Sequence, residues 1–216
     1  MSQSQAGARP AGTTAPRRGR PGYDLESLLA VAVTVFNERG YDGTSMEDLS
    51  KRLGITKSSI YHHVGSKEEL LALALDRALD GLFAVADDVA ASAAPAIERL
   101  ERLVRGSVAV LASRLPYVTL LLRARGNTAT ERTALARRRE FDQIVADLVK
   151  QAERDGDIRP DVDPAVTARL LFGLVNSLVE WYRPGSRGAA AGPEALADAV
   201  CAVAFDGLRT HRRAPI

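Results

Sequence analysis

Apolar side chains recur along this chain at intervals of three and four. From Asp24 onward, Leu25, Leu28, Leu29, Ala32, Val33 and Phe36 mark one face of a helix. Asp24 can cap its start, and Gly40 supplies its stop. The next segments are short. One starts at Ser45, with Asp48 three residues on as an acidic variant of the capping box, and Gly54 breaks it after Leu53. Thr56 can cap another, through about Val64, and Gly65 ends it. Ser66 then opens a fourth helix, with Glu69 completing a Ser-x-x-Glu box.

That fourth helix is long and apolar over a broad face: Leu70, Leu71, Leu75, Leu79, Leu82, Phe83 and Val89 all fall within it, before Pro95. Further helices are predicted at about 96–114, 117–125, 130–155, 164–183 and 194–211. The breakers between them are Pro116, Gly126-Asn127, Gly156 with Pro160, and Pro184-Gly185. No segment alternates as a half-buried strand does. The predicted fold is all-α, with about nine helices.

Composition adds three points. Of the 216 residues, 46% are hydrophobic, enough for a substantial core. The net charge of +2 is small, but Arg9, Arg17, Arg18 and Arg20 all precede the first acidic residue, Asp24. A basic arm ahead of a folded body suits nucleic acid or another acidic surface. The single cysteine, Cys201, leaves no internal disulfide, and no apolar run approaches the ~18 residues of a membrane span. The expectation is a cytoplasmic chain with no membrane partner. Its predicted organisation is a disordered basic arm at 1–22, a DNA-binding unit of three helices at 23–68, and a helical ligand-binding and dimerisation domain at 69–216.

The sharpest signal lies at 45–64. Two short helices are joined by Leu53-Gly54-Ile55-Thr56, where Gly54 allows a tight left-handed turn. Leu49, Leu53, Ile55 and Ile60 can form the small core that fixes their angle. The second helix, Lys57-Ser58-Ser59-Ile60-Tyr61-His62-His63, otherwise carries hydrogen-bonding groups of the kind a major groove accepts. Lys67 opens the fourth helix, where a cation and free backbone N–H groups can hold a phosphate together. Arg17, Arg18 and Arg20 sit among Gly and Pro and suit a narrow, A·T-rich minor groove. Adjacent helical histidines point about 100° apart, so His62 and His63 do not chelate one ion, and no metal or cofactor is expected.

The run from Phe36 to Leu49, then Leu53 to Val64 with its Tyr61-His62-His63 triplet, then Ser66-Lys67-Glu68-Glu69-Leu70-Leu71, closely resembles the N-terminal domain of TetR-family transcriptional regulators. The resemblance covers about residues 23–75. It implies a homodimer on pseudo-palindromic, double-stranded operator DNA, usually as a repressor released by a small-molecule effector. It implies phosphate contacts from Thr44, Ser45, Ser59, Tyr61, His63 and Lys67, and base contacts from Lys57 and Ser58, with His62 beside them. One departure is that the recognition helix has neither Arg nor Gln, so bidentate base readout is limited.

For the remainder of the chain the resemblance implies a ligand-binding and dimerisation domain. Apolar stripes agree with it. Leu171, Leu174, Leu178 and Trp181 on one helix, and Leu196, Val200, Val203 and Leu208 on the next, are the expected dimer interface. Arg123, Arg125, Asn127, Asn176 and Glu180 are the polar candidates for a mostly apolar effector pocket. The segment Glu180-Trp181-Tyr182-Arg183-Pro184-Gly185, with Pro193 to Asp198, is similar to a pattern in family members that answer to acyl-CoA thioesters. Nucleophile-elbow, P-loop and Rossmann patterns are lacking, so an enzyme is not the expected function. A helical acyl-CoA-handling enzyme or a helical protein-binding adaptor is the alternative.

Overall fold

The computed structural model describes residues 24–185 and 192–207. Arg17, Arg18, Arg20 and Leu208 lie outside the described residues, as does the final stretch of the helix predicted to reach 211.

Among the described residues the chain is all-helical. Helix α1 spans Leu25–Arg39, α2 Met46–Leu53, α3 Lys57–Tyr61, α4 Lys67–Ala90, α5 Ala96–Ser113, α6 Leu115–Arg123, α7 Ala129–Asp155, α8 Pro164–Trp181 and α9 Pro193–Cys201. A single π-helical turn, Ala202–Asp206, follows α9 and ends at Gly207.

Local chemistry sets most of these limits. Asp24 Oδ1 accepts from the Ser27 amide at 2.8 Å and starts α1. Ser45 and Asp48 form a reciprocal capping box, and so do Thr128 and Glu131. The predicted Ser66 box is different: Ser66 accepts from the Glu69 amide, but the Glu69 carboxylate takes the Gly65 amide at 2.6 Å instead of that of Ser66. Helix α6 starts earlier than predicted. Pro116 lies in its first turn, where a missing N–H is not needed. Helix α8 stops at Trp181, because Tyr182 turns extended ahead of Arg183-Pro184.

Helices α1 to α3 close over a small core in which Leu28, Leu49 and Ile60 are all 0% exposed. Gly54, with φ 67°, makes the turn between α2 and α3. Helix α4 runs unbroken across the boundary expected at residue 68 and packs on α5 and α7. At Gly106 the backbone of α5 comes so close to α4 that an added Cβ would lie 2.4 Å from Val85 Cγ1. Helix α9 packs chiefly on α5, and α8 on α7. Helix α6 lies between the two halves, touching α1, α4, α5 and α8. The two are therefore joined by α4 and α6 together.

Candidate DNA-binding interface and ligand cavity

Helix α3 buries Ile60 completely and turns its polar residues outward. Ser58, Tyr61, His62 and His63 are exposed, Tyr61 at 50% although it is aromatic. Thr56 caps the helix by accepting from the Ser59 amide, and the two hydroxyls meet at 2.9 Å. Lys57 is exposed but not free. Its ammonium lies 2.5 Å from Glu47 Oε2 on α2. The hydrogen bond between them, then the charge attraction, holds the Glu47 carboxyl below its ordinary range and raises the Lys57 ammonium.

Two expected phosphate ligands have other work. Thr44 is 2% exposed, and its hydroxyl donates to the Gly40 carbonyl at 2.8 Å. It props the turn after α1 and offers DNA no hydroxyl. The Lys67 ammonium donates to the carbonyls of Tyr41 at 2.9 Å and Thr44 at 2.7 Å, and lies 4.1 Å above the Tyr41 ring centre. These contacts staple the start of α4 to the loop between α1 and α2. Ser45 remains exposed, but its oxygen is engaged by Asp48.

The body holds a cleft of about 450 Å³ between α7 and α8, lined in part by Arg138, Arg139, Asp142, Arg169 and Asn176. Phe172, Arg138, Asp142 and Asn176 also line a second, inner space of about 30 Å³, closed off by Leu82, Leu111, Leu121 and Val175. Phe141 and Phe172 meet edge to face there, with ring centres 5.3 Å apart. Burial pushes the Asp142 carboxyl up, while Arg138 and Arg169 pull it down.

Of the five predicted ligand residues, only Asn176 reaches this cleft. Arg123 and Arg125 lie in a separate hollow against α1. The Asn127 amide donates to Glu131 in the cap of α7, and Glu180 is exposed near the end of α8. Sequence reasoning missed Asp142 and Arg169 in the lining of this cleft. The i,i+4 spacing of Arg138 and Asp142 was the available signal. Arg137, their neighbour, is engaged elsewhere, bridging Asp76 at 2.7 Å and Asp80 at 2.8 Å on α4.

The predicted dimer set divides. Leu178, Leu196 and Val200 are 1%, 3% and 6% exposed within one chain, so they are core and present no face to a partner. They complete the packing of α8 and α9 on the helices beneath. Leu171 and Leu174 are half-buried. The outward apolar residues are Val166, Leu170, Trp181 and Val203, with Leu170 67% exposed. Val166 and Leu170 extend the stripe toward the start of α8 at a spacing of four.

Comparison with known proteins identifies the family. Residues 28–74 match the family described as bacterial regulatory proteins, tetR family. Residues 93–208 match the tetracyclin repressor-like C-terminal domain. The chain is 32% identical over 180 residues to the HTH-type transcriptional repressor KstR2 of Mycobacterium tuberculosis, covering 82% of this chain and 86% of that one. SCO3833 of Streptomyces coelicolor A3, a TetR-family member of solved structure, is 60% identical, with a TM-score of 0.81 over 86% of this chain and 92% of its own. AibR, solved with isovaleryl coenzyme A and operator DNA, is 30% identical, with a TM-score of 0.69 over 83% of this chain and 97% of its own. The chain therefore belongs to the TetR family of transcriptional regulators, with α2 and α3 as its helix-turn-helix.

Proposed function

We propose that this protein is a cytoplasmic homodimeric repressor that holds a pseudo-palindromic operator and releases it when a small effector enters between α7 and α8. The observation that carries the effector reading is the shape of the cleft. Three arginines, Arg138, Arg139 and Arg169, line it together with Val145, Ala146, Ala168 and Phe172. An amphipathic anion fits this arrangement, with its charged head at Arg138 and Arg169 and its apolar end against Phe172. Acyl-CoA thioesters have that chemistry, and AibR has been solved with one. At about 450 Å³ the cleft lies within the ordinary range for small-molecule sites.

The dimer reading rests on Val166, Leu170, Trp181 and Val203, an apolar set that one chain leaves in water. Pairing α8 and α9 with a second copy would cover it and present two copies of α3 to successive major grooves, about 34 Å apart. Lys57, Ser58, Ser59, Tyr61, His62 and His63 then face DNA. Effector binding shifts the protein between two states only by its differential affinity for them. Helix α4, which borders the inner cavity through Leu82 and reaches the turn before α2 through Lys67, is the connecting part.

A panel of acyl-CoA thioesters in thermal-shift and operator-release assays tests the effector reading. The expected result is a raised melting point and release at the same concentrations, both weakened in Arg138→Ala and Arg169→Ala. At an effector concentration a hundred times its Kd, mass action stabilises the fold by about 2.7 kcal/mol. Thioesters that neither stabilise the protein nor release DNA would remove this effector class.

A further inference from the structure

A groove of about 700 Å³, larger than the α7–α8 cleft, lies between the start of α5, the connection from α7 to α8, α8 itself and the π-helical turn after α9. Ile97, Ile158, Leu171, Leu174 and Phe205 line it, and each is only half-buried. Covering apolar surface of this kind is favourable, so the groove suits an occupant with apolar side chains.

Its charges are mostly negative. Glu101, Asp157 and Asp206 all line it. Glu101 is matched by Arg105 at 3.0 Å. Asp157 and Asp206 are exposed and have no ion pair among the described residues. The one arginine in the lining, Arg159, is held by Asp161 at 2.5 Å. An occupant that is cationic as well as apolar is therefore favoured.

Residues 208–216 have that chemistry. They carry Arg209, His211, Arg212 and Arg213, no carboxylate side chain, and apolar groups at Leu208 and Ile216. They follow directly on the turn whose residues Val203 to Asp206 line the groove. Gly207 has φ 76°, which helical residues do not adopt, so the chain leaves the path of the turn there. An extended segment of this length reaches about 30 Å, enough to cross a hollow of this volume.

We propose that residues 208–216 dock in this groove of their own chain, with Leu208 against the apolar walls and the arginines facing Asp157 and Asp206. Leu170 and Val203 also line the groove, and they belong to the apolar set assigned above to a second copy. The same segment of a second copy is therefore the rival occupant.

The test places a nitroxide at Ala214→Cys in a Cys201→Ala background of the full chain and reads the relaxation of ¹⁵N-labelled amides. Strong broadening is expected at Ile97, Ile158 and Thr167, and none at Ser58 on α3. Leu208→Asp is expected to reduce the broadening about tenfold, the scale of one buried leucine side chain. Asp157→Lys, an exposed change, is expected to reduce it about threefold, the scale of an exposed ion pair. In a co-refolded mixture of ¹⁵N-labelled chain without the nitroxide and unlabelled chain carrying it, broadening at these amides is expected to be weak. Broadening in the mixture as strong as within one chain would put the segment on the second copy and overturn the proposal. So would broadening that Leu208→Asp and Asp157→Lys both leave unchanged, or its absence. Operator binding and sedimentation of the same chains are read separately, so failure here leaves the repressor reading standing.

Discussion

Glu47 Oε2 lies 2.5 Å from the Lys57 ammonium, so the first cation of α3 is matched to a carboxylate on α2 before any DNA is present. On the proposed DNA-bound arrangement, Lys57 exchanges that partner for a base or phosphate. Both groups are solvent-exposed, which makes the pair weak in itself and easily exchanged. Its effect is on discrimination. A carboxylate at this surface repels phosphate indiscriminately, and only a site that engages Lys57 well compensates for the loss.

Glu47→Gln is therefore expected to tighten binding to random duplex about threefold or more and to steepen its salt dependence by about one phosphate contact. Operator affinity is expected to rise less. Fluorescence anisotropy on both duplexes over a salt series reads this. A variant that tightened the operator alone would contradict the role given to Glu47.

Lys67→Met removes two hydrogen bonds to buried-side carbonyls and the contact with the Tyr41 ring. The expected loss of stability is about 1–3 kcal/mol in urea unfolding. Operator binding is expected to weaken with an unchanged salt slope, because no phosphate contact is removed. A reduced slope with normal stability would restore Lys67 to the DNA surface.

Gly106→Ala drives a methyl group against Val85, whose branched side chain cannot turn aside easily. The expected cost is about 1–3 kcal/mol, as for overpacking elsewhere in protein cores. Thermal unfolding measures it, and Val85→Ala in the same chain is expected to recover part of the loss. An unchanged melting point would mean that α4 and α5 separate freely.

Asp48 gives a pH test. The Ser45 side-chain hydrogen bond, followed by the Ser45 amide, holds its carboxyl below the ordinary value. The folded value is thus lower than the unfolded one, near 3.9. The contribution is complete above the unfolded value and is lost as pH falls through the folded one. Wild-type stability is expected to fall across that acid window more steeply than that of Asp48→Asn. Identical slopes in urea unfolding from pH 6 to 3 would show that the cap does not titrate as described.

Much of the architecture was legible along the chain. The caps at Asp24, Ser45, Thr56 and Ser66 are local contacts between residues three apart, and all four accept the expected amide. The exposed face of α3 follows from one buried residue, Ile60, on a five-residue helix. The site was less legible where a side chain had rivals. Lys67 had equal claims on a phosphate and on two carbonyls 23 and 26 residues away, and only the packed loop decides between them. Thr44 was withdrawn into the turn for the same reason.

Sequence alone determined the helical periods, their starts and stops, and the turn at Gly54, because these depend on neighbours within a few residues. Tertiary structure decided which apolar stripes are core, as at Leu178, Leu196 and Val200, and which stay in water, as at Leu170 and Trp181. It also divided the arginines, placing Arg137 on two aspartates, Arg138 at a cleft, and Arg123 and Arg125 against α1. Periodicity assigns a residue to a face of its helix. Which element covers that face depends on contacts between residues far apart in the chain, and no local pattern encodes them.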